Sequence, residues 1–226
     1  LSESAPLTLE RLPLFPLQTV LFPGGWLPLR IFEVRYLDMV RRCHQAGAPF
    51  GVVCLTRGQE VITAPPTTPA GAAAAPASKE VFASVGVLAH VETLAQPHPG
   101  LLHIVCRGSQ RFHVTQTDKL KHGLWVADVE VLPADLPAPV PDDLSGTVTS
   151  LQRLIHTLST QASNDKQMPV QKPYQWQDAG WVANRWCELL PVDNELKQRL
   201  MSLDNPLVRL ELVSDLLEKL RLDTAR

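Results

Sequence analysis

Residues 12–40 read LPLFPLQTVLFPGGWLPLRIFEVRYLDMV, and the order of their prolines, glycines and apolar residues constrains the rest of the chain. Pro13, Pro16, Pro23 and Pro28 each fix φ and lack a backbone donor. The stretch is therefore expected along sheet edges and through turns rather than as a central strand. Gly24-Gly25 supplies a tight bend between two apolar segments. From Phe32 through Tyr36, Met39, Val40 and Cys43 the apolar residues recur at helical spacing, with Arg35, Asp38, Arg41 and Arg42 between them. Gly47 follows where helices commonly stop. Glu33 falls in the first turn of this predicted helix, where a carboxylate favours the positive end of the dipole. Glu33 or Asp38 is expected to pair with Arg30, Arg35 or Arg111.

Outward from this stretch the chain reads first as strands and then as helices. Phe50 to Leu55 and Val81 to Val91 are rich in valine. Leu101 to Cys106 and Phe112 to Thr117 flank Arg107-Gly108-Ser109-Gln110, which predicts a hairpin with its turn there. Trp125 to Val131 alternates apolar residues with positions carrying Asp128 and Glu130, the period of a half-buried strand. Beyond Pro133 the period becomes helical. Leu144, Val148, Leu151, Leu154, Ile155 and Leu158 form one face, and Trp181, Val182, Trp186, Leu189 and Leu190 form a second, ended by Pro191. Asp193 is a suitable N-cap for a third helix, and Asn205-Pro206 opens a fourth. The Ala/Pro-rich residues 64–78 read as a mobile loop. The expected organisation is α+β: a β-rich part over 1–133, a Pro-rich linker over 134–143 and a helical bundle over 144–226.

Composition excludes several classes of function. The chain has 226 residues, 45% of them hydrophobic, and a formal net charge of -2, which suits a folded protein better than a disordered one. No apolar run reaches the roughly 18 residues needed to span a bilayer. The first residues show no basic region followed by an apolar core, so no signal peptide is expected and the cytoplasm is the expected location. Basic residues are scattered, whereas nucleic-acid binders concentrate them to neutralise phosphates, so nucleic acid is an unlikely partner. The four cysteines lack C-x-x-C spacing and are expected as reduced thiols. His90, His98, His103 and His113 lie close in sequence, but without H-E-x-x-H or H-x-H spacing, so no metal or cofactor is expected. Cys43 and His44 are neighbours on a helix, about 100° apart, and cannot form a nucleophile–base pair by themselves. No glycine is followed by lysine, which excludes a P-loop from these residues, and no G-x-S-x-G elbow occurs.

Residues 12–40 also carry a resemblance. Leu14-Phe15-Pro16-Leu17, Leu21-Phe22-Pro23-Gly24 and Ile31-Phe32-Glu33-Val34-Arg35-Tyr36 stand in the order of the opening signature of the Lon protease N-terminal, substrate-recognition domain. Val85-Gly86-Val87-Leu88-Ala89 is similar to its central strand and Gly108-Ser109-Gln110-Arg111-Phe112 to its G-x-x-R-F turn. Leu190-Pro191, Lys197-Gln198-Arg199-Leu200 and Arg209-Leu210 resemble the end of its helical part. The resemblance implies a PUA-like pseudo-barrel with one helix, followed by a helical bundle. It further implies a free-standing copy without the AAA+ and peptidase domains: a non-catalytic module for unfolded or extended polypeptide, with a separate protease or chaperone as a further partner. The groove is expected between the two parts, with Phe22, Trp26, Phe32, Tyr36 and Arg111 as its candidate lining, although core packing competes for each. RNA binding, by analogy with PUA domains, is the alternative.

Overall fold

The computed structural model describes residues 7–57, 80–161 and 168–224; the Ala/Pro-rich stretch 64–78 lies outside them. Among the described residues the β-rich part has seven strands: β1 (Thr8–Leu17), β2 (Trp26–Ile31), β3 (Phe50–Arg57), β4 (Val81–Phe82), β5 (Val85–His98), β6 (Leu101–Lys119) and β7 (Trp125–Val131). One helix, α1 (Val34–Ala46), interrupts them. The helical part holds α2 (Ser145–Gln161), α3 (Ala179–Leu189), α4 (Asn194–Met201) and α5 (Pro206–Thr224). Pairing runs β1-β7-β6-β5-β3 and returns to β1 through a parallel β1–β3 ladder, so the sheet closes into a ring. The α+β class and the strand-then-helix order are as the residues implied.

The prolines of β1 do not confine it to an edge. β1 lies inside the ring, but its two halves use different neighbours: residues up to Leu14 pair with β7, and Leu14 to Leu17 pair with β3. Pro13 opposes Val126 and Pro16 opposes Val53, so each proline has a ladder on one side only, as at an edge. Among the described residues β2, which carries Pro28, pairs with β6 alone and is an edge strand as expected.

The predicted hairpin at Arg107–Gln110 is corrected. β6 runs unbroken for 19 residues and changes partners along its length, from β2 and β5 to β7. The chain reverses instead at Pro99-Gly100, where Gly100 has a φ of 83°, and at Leu120–Leu124, where Gly123 has a φ of 88°. Gly108 serves a close approach rather than a turn. Its N–H donates to the Gly25 carbonyl at 2.8 Å, and its own carbonyl accepts from Gly24 N–H at 2.9 Å.

Helix ends follow local chemistry. Gly47 closes α1 in the left-handed conformation with a φ of 62°. Asp193 Oδ1 accepts from Leu196 N–H at 2.7 Å, and Asn205 Oδ1 accepts from Leu207 N–H at 2.9 Å with Pro206 as the first helical residue. Glu33 is the residue before α1 rather than within its first turn. Its carboxylate makes no capping bond and accepts instead from Arg35 Nε at 2.9 Å, one of the expected pairings.

Two buried clusters organise the interior. The smaller lies inside the ring around Leu14, Val53, Phe112 and Val129. The larger joins Phe15, Phe22, Tyr36 and Phe50 from the β-rich part to Leu151, Trp186, Leu200, Leu210 and Val213 from the helices. The segment between the two parts also packs: Ala138 accepts from Ala179 N–H at 2.8 Å, and Val140 donates to Gln177 at 3.2 Å. No helix among the described residues is long and apolar enough to cross a membrane.

Candidate functional site

Where the ring meets the helices, the connecting segment leaves a cleft of about 310 Å3. Trp26, Arg107, Ser109, Gln110 and Arg111 form its ring-side wall, Pro133 to Pro137 its rim, and Lys172, Gln175, Asp178, Trp181 and Asn184 the helical wall. An apolar hollow of about 590 Å3, lined by Leu132, Leu136, Ala138, Pro206 and Leu207, shares Arg111, Pro133, Ala134 and Pro137 with it, so the two form one groove. Leu136 is 82% exposed, a large apolar side chain standing in water at the lip of the hollow.

Buried charge fixes the shape of this groove. Asp135 accepts from Arg209 Nη1 at 2.6 Å and from Arg111 Nη2 at 3.2 Å, and both arginines are at most 3% exposed. The guanidiniums also serve carbonyls at and just beyond the C-terminal end of α4. Arg209 Nε donates to Leu200 O at 2.9 Å, its Nη2 donates to Leu203 O, and Arg111 Nη1 donates to Leu203 O at 2.8 Å. Arg209 Nη1 further donates to Asn184 Oδ1 at 3.1 Å. Asn184 is 4% exposed and lines the cleft, and its Nδ2 donor has no protein partner among the described residues. A second pair holds the Gly24-Gly25 bend, which forms part of the ring-side wall. Arg185 donates to Pro23 O at 2.9 Å, to Gly24 O at 2.8 Å and to Glu188 Oε1 at 2.8 Å. A Cβ on Gly25 would lie 2.1 Å from that same Oε1, so only glycine admits the carboxylate.

Burial raises the Glu188 carboxyl from 4.5 to about 7, against the opposing pull of Arg185 and Lys197. The folded state then binds the proton more tightly than the unfolded chain. This group's contribution to stability is full below pH 4.5 and is lost as pH rises through about 7. Between pH 5 and pH 8 the native protein is expected to lose on the order of 2 kcal/mol relative to Glu188→Gln, read from urea midpoints. Parallel pH profiles for the two proteins would remove this account of the pair.

The candidate lining residues divide three ways. Trp26 and Arg111 are in the cleft wall, Arg111 as a buried strut and Trp26 half-buried. Phe22 is 0% exposed and Tyr36 2%, so both are corrected to core: Phe22 packs under the bend, and Tyr36 stacks on Phe15 with ring centroids 4.0 Å apart. Phe32 is 55% exposed, at the end of β2 and outside the groove. Sequence reasoning missed Asp135, Asn184, Arg185 and Arg209. A signal existed for the arginines. Arg185 falls in the stripe Val182, Arg185, Trp186, Leu189, and Arg209 in the stripe Pro206, Arg209, Leu210, Val213, so each puts a charge on a core-facing helical position. Among the described residues no three His, Cys, Asp or Glu side chains converge on a metal-sized site. All four cysteines are buried and free, and burial pushes the Cys106 and Cys187 thiols up to about 12.

The model of the ATP-dependent protease La (LON) substrate-binding domain matches residues 11–219. The chain belongs to the Lon substrate-binding domain family. A crystal structure of a Lon N-terminal domain protein from Xanthomonas campestris is similar at 28% identity and a TM-score of 0.69, over 92% of this chain and 98% of that one. The N-terminal domain of Mycobacterium avium complex Lon protease has the same fold at 15% identity and a TM-score of 0.54, over 91% of this chain and 97% of that one. No curated protein sequence matches. Within this Lon-family fold, the signature segment of residues 12–40 supplies β1, the glycine bend, β2 and the start of α1, and the bend is the part that forms the cleft wall.

Proposed function

We propose that this chain is a non-catalytic binding module that holds extended or unfolded polypeptide in the groove between the ring and the helices. The observation that carries this reading is the joining of a polar cleft to an apolar hollow through shared walls. An extended segment would place apolar side chains against Leu136, Pro206 and Leu207. Its backbone would meet the amides of Gln110, Gln175 and Asn184, groups that bind peptide units without regard to sequence. The open edge of β2, which starts at Trp26 beside the cleft, offers further backbone pairing, although Pro28 removes one donor from the strand. The carboxylates of the cleft are already engaged: Asp135 neutralises two arginines, and Asp178 caps α3 through Trp181 N–H at 2.6 Å. A cytoplasmic setting and delivery of bound segments to a separate protease or chaperone accord with this role.

Fluorescence anisotropy with labelled, unstructured 15-residue peptides tests the reading. Peptides rich in apolar residues are expected to bind, and Trp26→Ala and Leu136→Asp should each weaken them roughly ten-fold. Unchanged affinity in both variants would move binding away from the groove. Single-stranded RNA binding more tightly than any peptide, with a steep salt dependence, would favour the nucleic-acid alternative.

A further inference from the structure

A second cleft, of about 500 Å3, lies between α1, the β1 and β7 strands and the turn joining β6 to β7, and shares no lining residue with the groove. Its floor is aliphatic. Met39, Leu124 and Val126 are each at most 7% exposed, with Pro13 and Leu120 beside them. Besides Val34 and Cys43, its other lining among the described residues is polar: three guanidiniums (Arg11, Arg35, Arg42) and the His122 imidazole against one carboxylate, Asp38. This concentration occurs in a chain whose formal net charge is -2.

Arg11 and Arg42 are little neutralised, whereas Arg35 is paired with Glu33 and Glu80. Asp38 lies 3.7 Å from Arg41, which does not line the cleft. Arg11 has Asp118 at 4.0 Å, with both side chains 63% exposed, a separation that water screens. Arg42 and His122 form no ion pair among the described residues. Arg35 is 7% exposed and held rigidly. It donates to Glu33 at 2.9 Å and to Gly123 O at 2.8 Å, while its buried Nη2 makes no hydrogen bond and stays 3.7 Å from Glu80.

The combination restricts the ligand. A bare phosphate would satisfy the cations but leave the aliphatic floor wet. A nucleotide would lack a stacking surface, because among the described residues no Phe, Tyr or Trp lines the cleft. A neutral apolar molecule would leave the guanidiniums unused. We propose that this cleft binds an aliphatic carboxylate, its chain over Met39, Leu124 and Val126 and its carboxylate between Arg42, His122 and Arg11. The volume is within the usual range of small-ligand sites, about 300–1,000 Å3, and the unbranched thioether of Met39 adapts to chains of different length.

Isothermal titration of the full chain with decanoate, decanol and inorganic phosphate tests this. Decanoate is expected to bind saturably and about ten-fold more tightly than decanol, with no heat from phosphate alone. Arg42→Glu, at an exposed helix position, should weaken decanoate ten-fold or more, while Arg42→Lys stays within about three-fold. Arg153→Glu, on α2 outside the cleft, should leave it unchanged, and peptide binding in the groove should be the same in all three variants. Equal affinity for decanol and decanoate, phosphate binding as tightly as decanoate, an Arg42→Glu variant that binds normally, or no decanoate heat would each overturn the assignment.

Discussion

Replacing Arg209 with alanine is expected to lower the unfolding free energy by about 3–5 kcal/mol, measured by urea denaturation. Arg209 is 1% exposed and bonds to Leu200, Leu203, Asn184 and Asp135, so four separate points of the structure converge on one guanidinium. Its removal leaves Asp135 with Arg111 as its remaining partner and takes one donor each from the Leu200 and Leu203 carbonyls. A cavity the size of a long side chain adds to the loss. The contrast is Arg199→Ala. That residue pairs with Glu195 at 2.5 Å, but the two side chains are 73% and 76% exposed, and its loss should cost under about 1 kcal/mol. Similar costs for the two substitutions would mean that the buried network is not what joins the parts. Asp135→Asn should give an intermediate loss, because an amide still accepts from one arginine but carries no charge.

This network also shows where sequence reading succeeds and fails. Gly47, Asp193 and Asn205-Pro206 were legible because a helix end is settled by the residue at that end and the next three. The strand Trp125–Val131 was legible because one of its faces is apolar throughout. β6 was misread for a physical reason. Its buried positions alternate at Leu102, Ile104, Cys106 and Gly108 and resume at Phe112, with exposed Gln110 and buried Arg111 breaking the alternation between them. Such a break beside a glycine looks like a turn when only local sequence is considered. The strand continues because its partners change, and those partners are distant in sequence. The aromatic candidates were ambiguous for a similar reason. Phe22 and Tyr36 are aromatic residues of the signature segment, a trait shared by core and binding residues, and only the packing of the helices against them decides between the two. Asp135, which organises the cleft between the two parts, sits in a Pro-rich stretch with no pattern to mark it.

Gly108→Ala is expected to be comparably damaging, at about 3–5 kcal/mol, although it adds one methyl group. A Cβ at this position would lie 2.4 Å from the Phe22 carbonyl oxygen, 3.1 Å from Leu21 and 3.2 Å from Val87. The first of these is backbone and cannot rotate away. The bend at residues 22–25 must lift, and both hydrogen bonds between Gly108 and Gly24-Gly25 go with it. Arg185 then loses its geometry on the carbonyls of Pro23 and Gly24, which are the bend's tie to α3. One methyl thus loosens the ring, the helices and the cleft wall together, so peptide binding should weaken alongside stability. Gly146→Ala is the matched control. Gly146 sits in α2 with nothing within 4 Å of its added Cβ, and alanine there should be neutral or stabilising by up to about 1 kcal/mol. Thermal unfolding of the two variants decides the matter. A Gly108→Ala protein as stable as Gly146→Ala would show that the bend yields without cost, and the glycine of the G-x-x-R-F segment would then need another explanation.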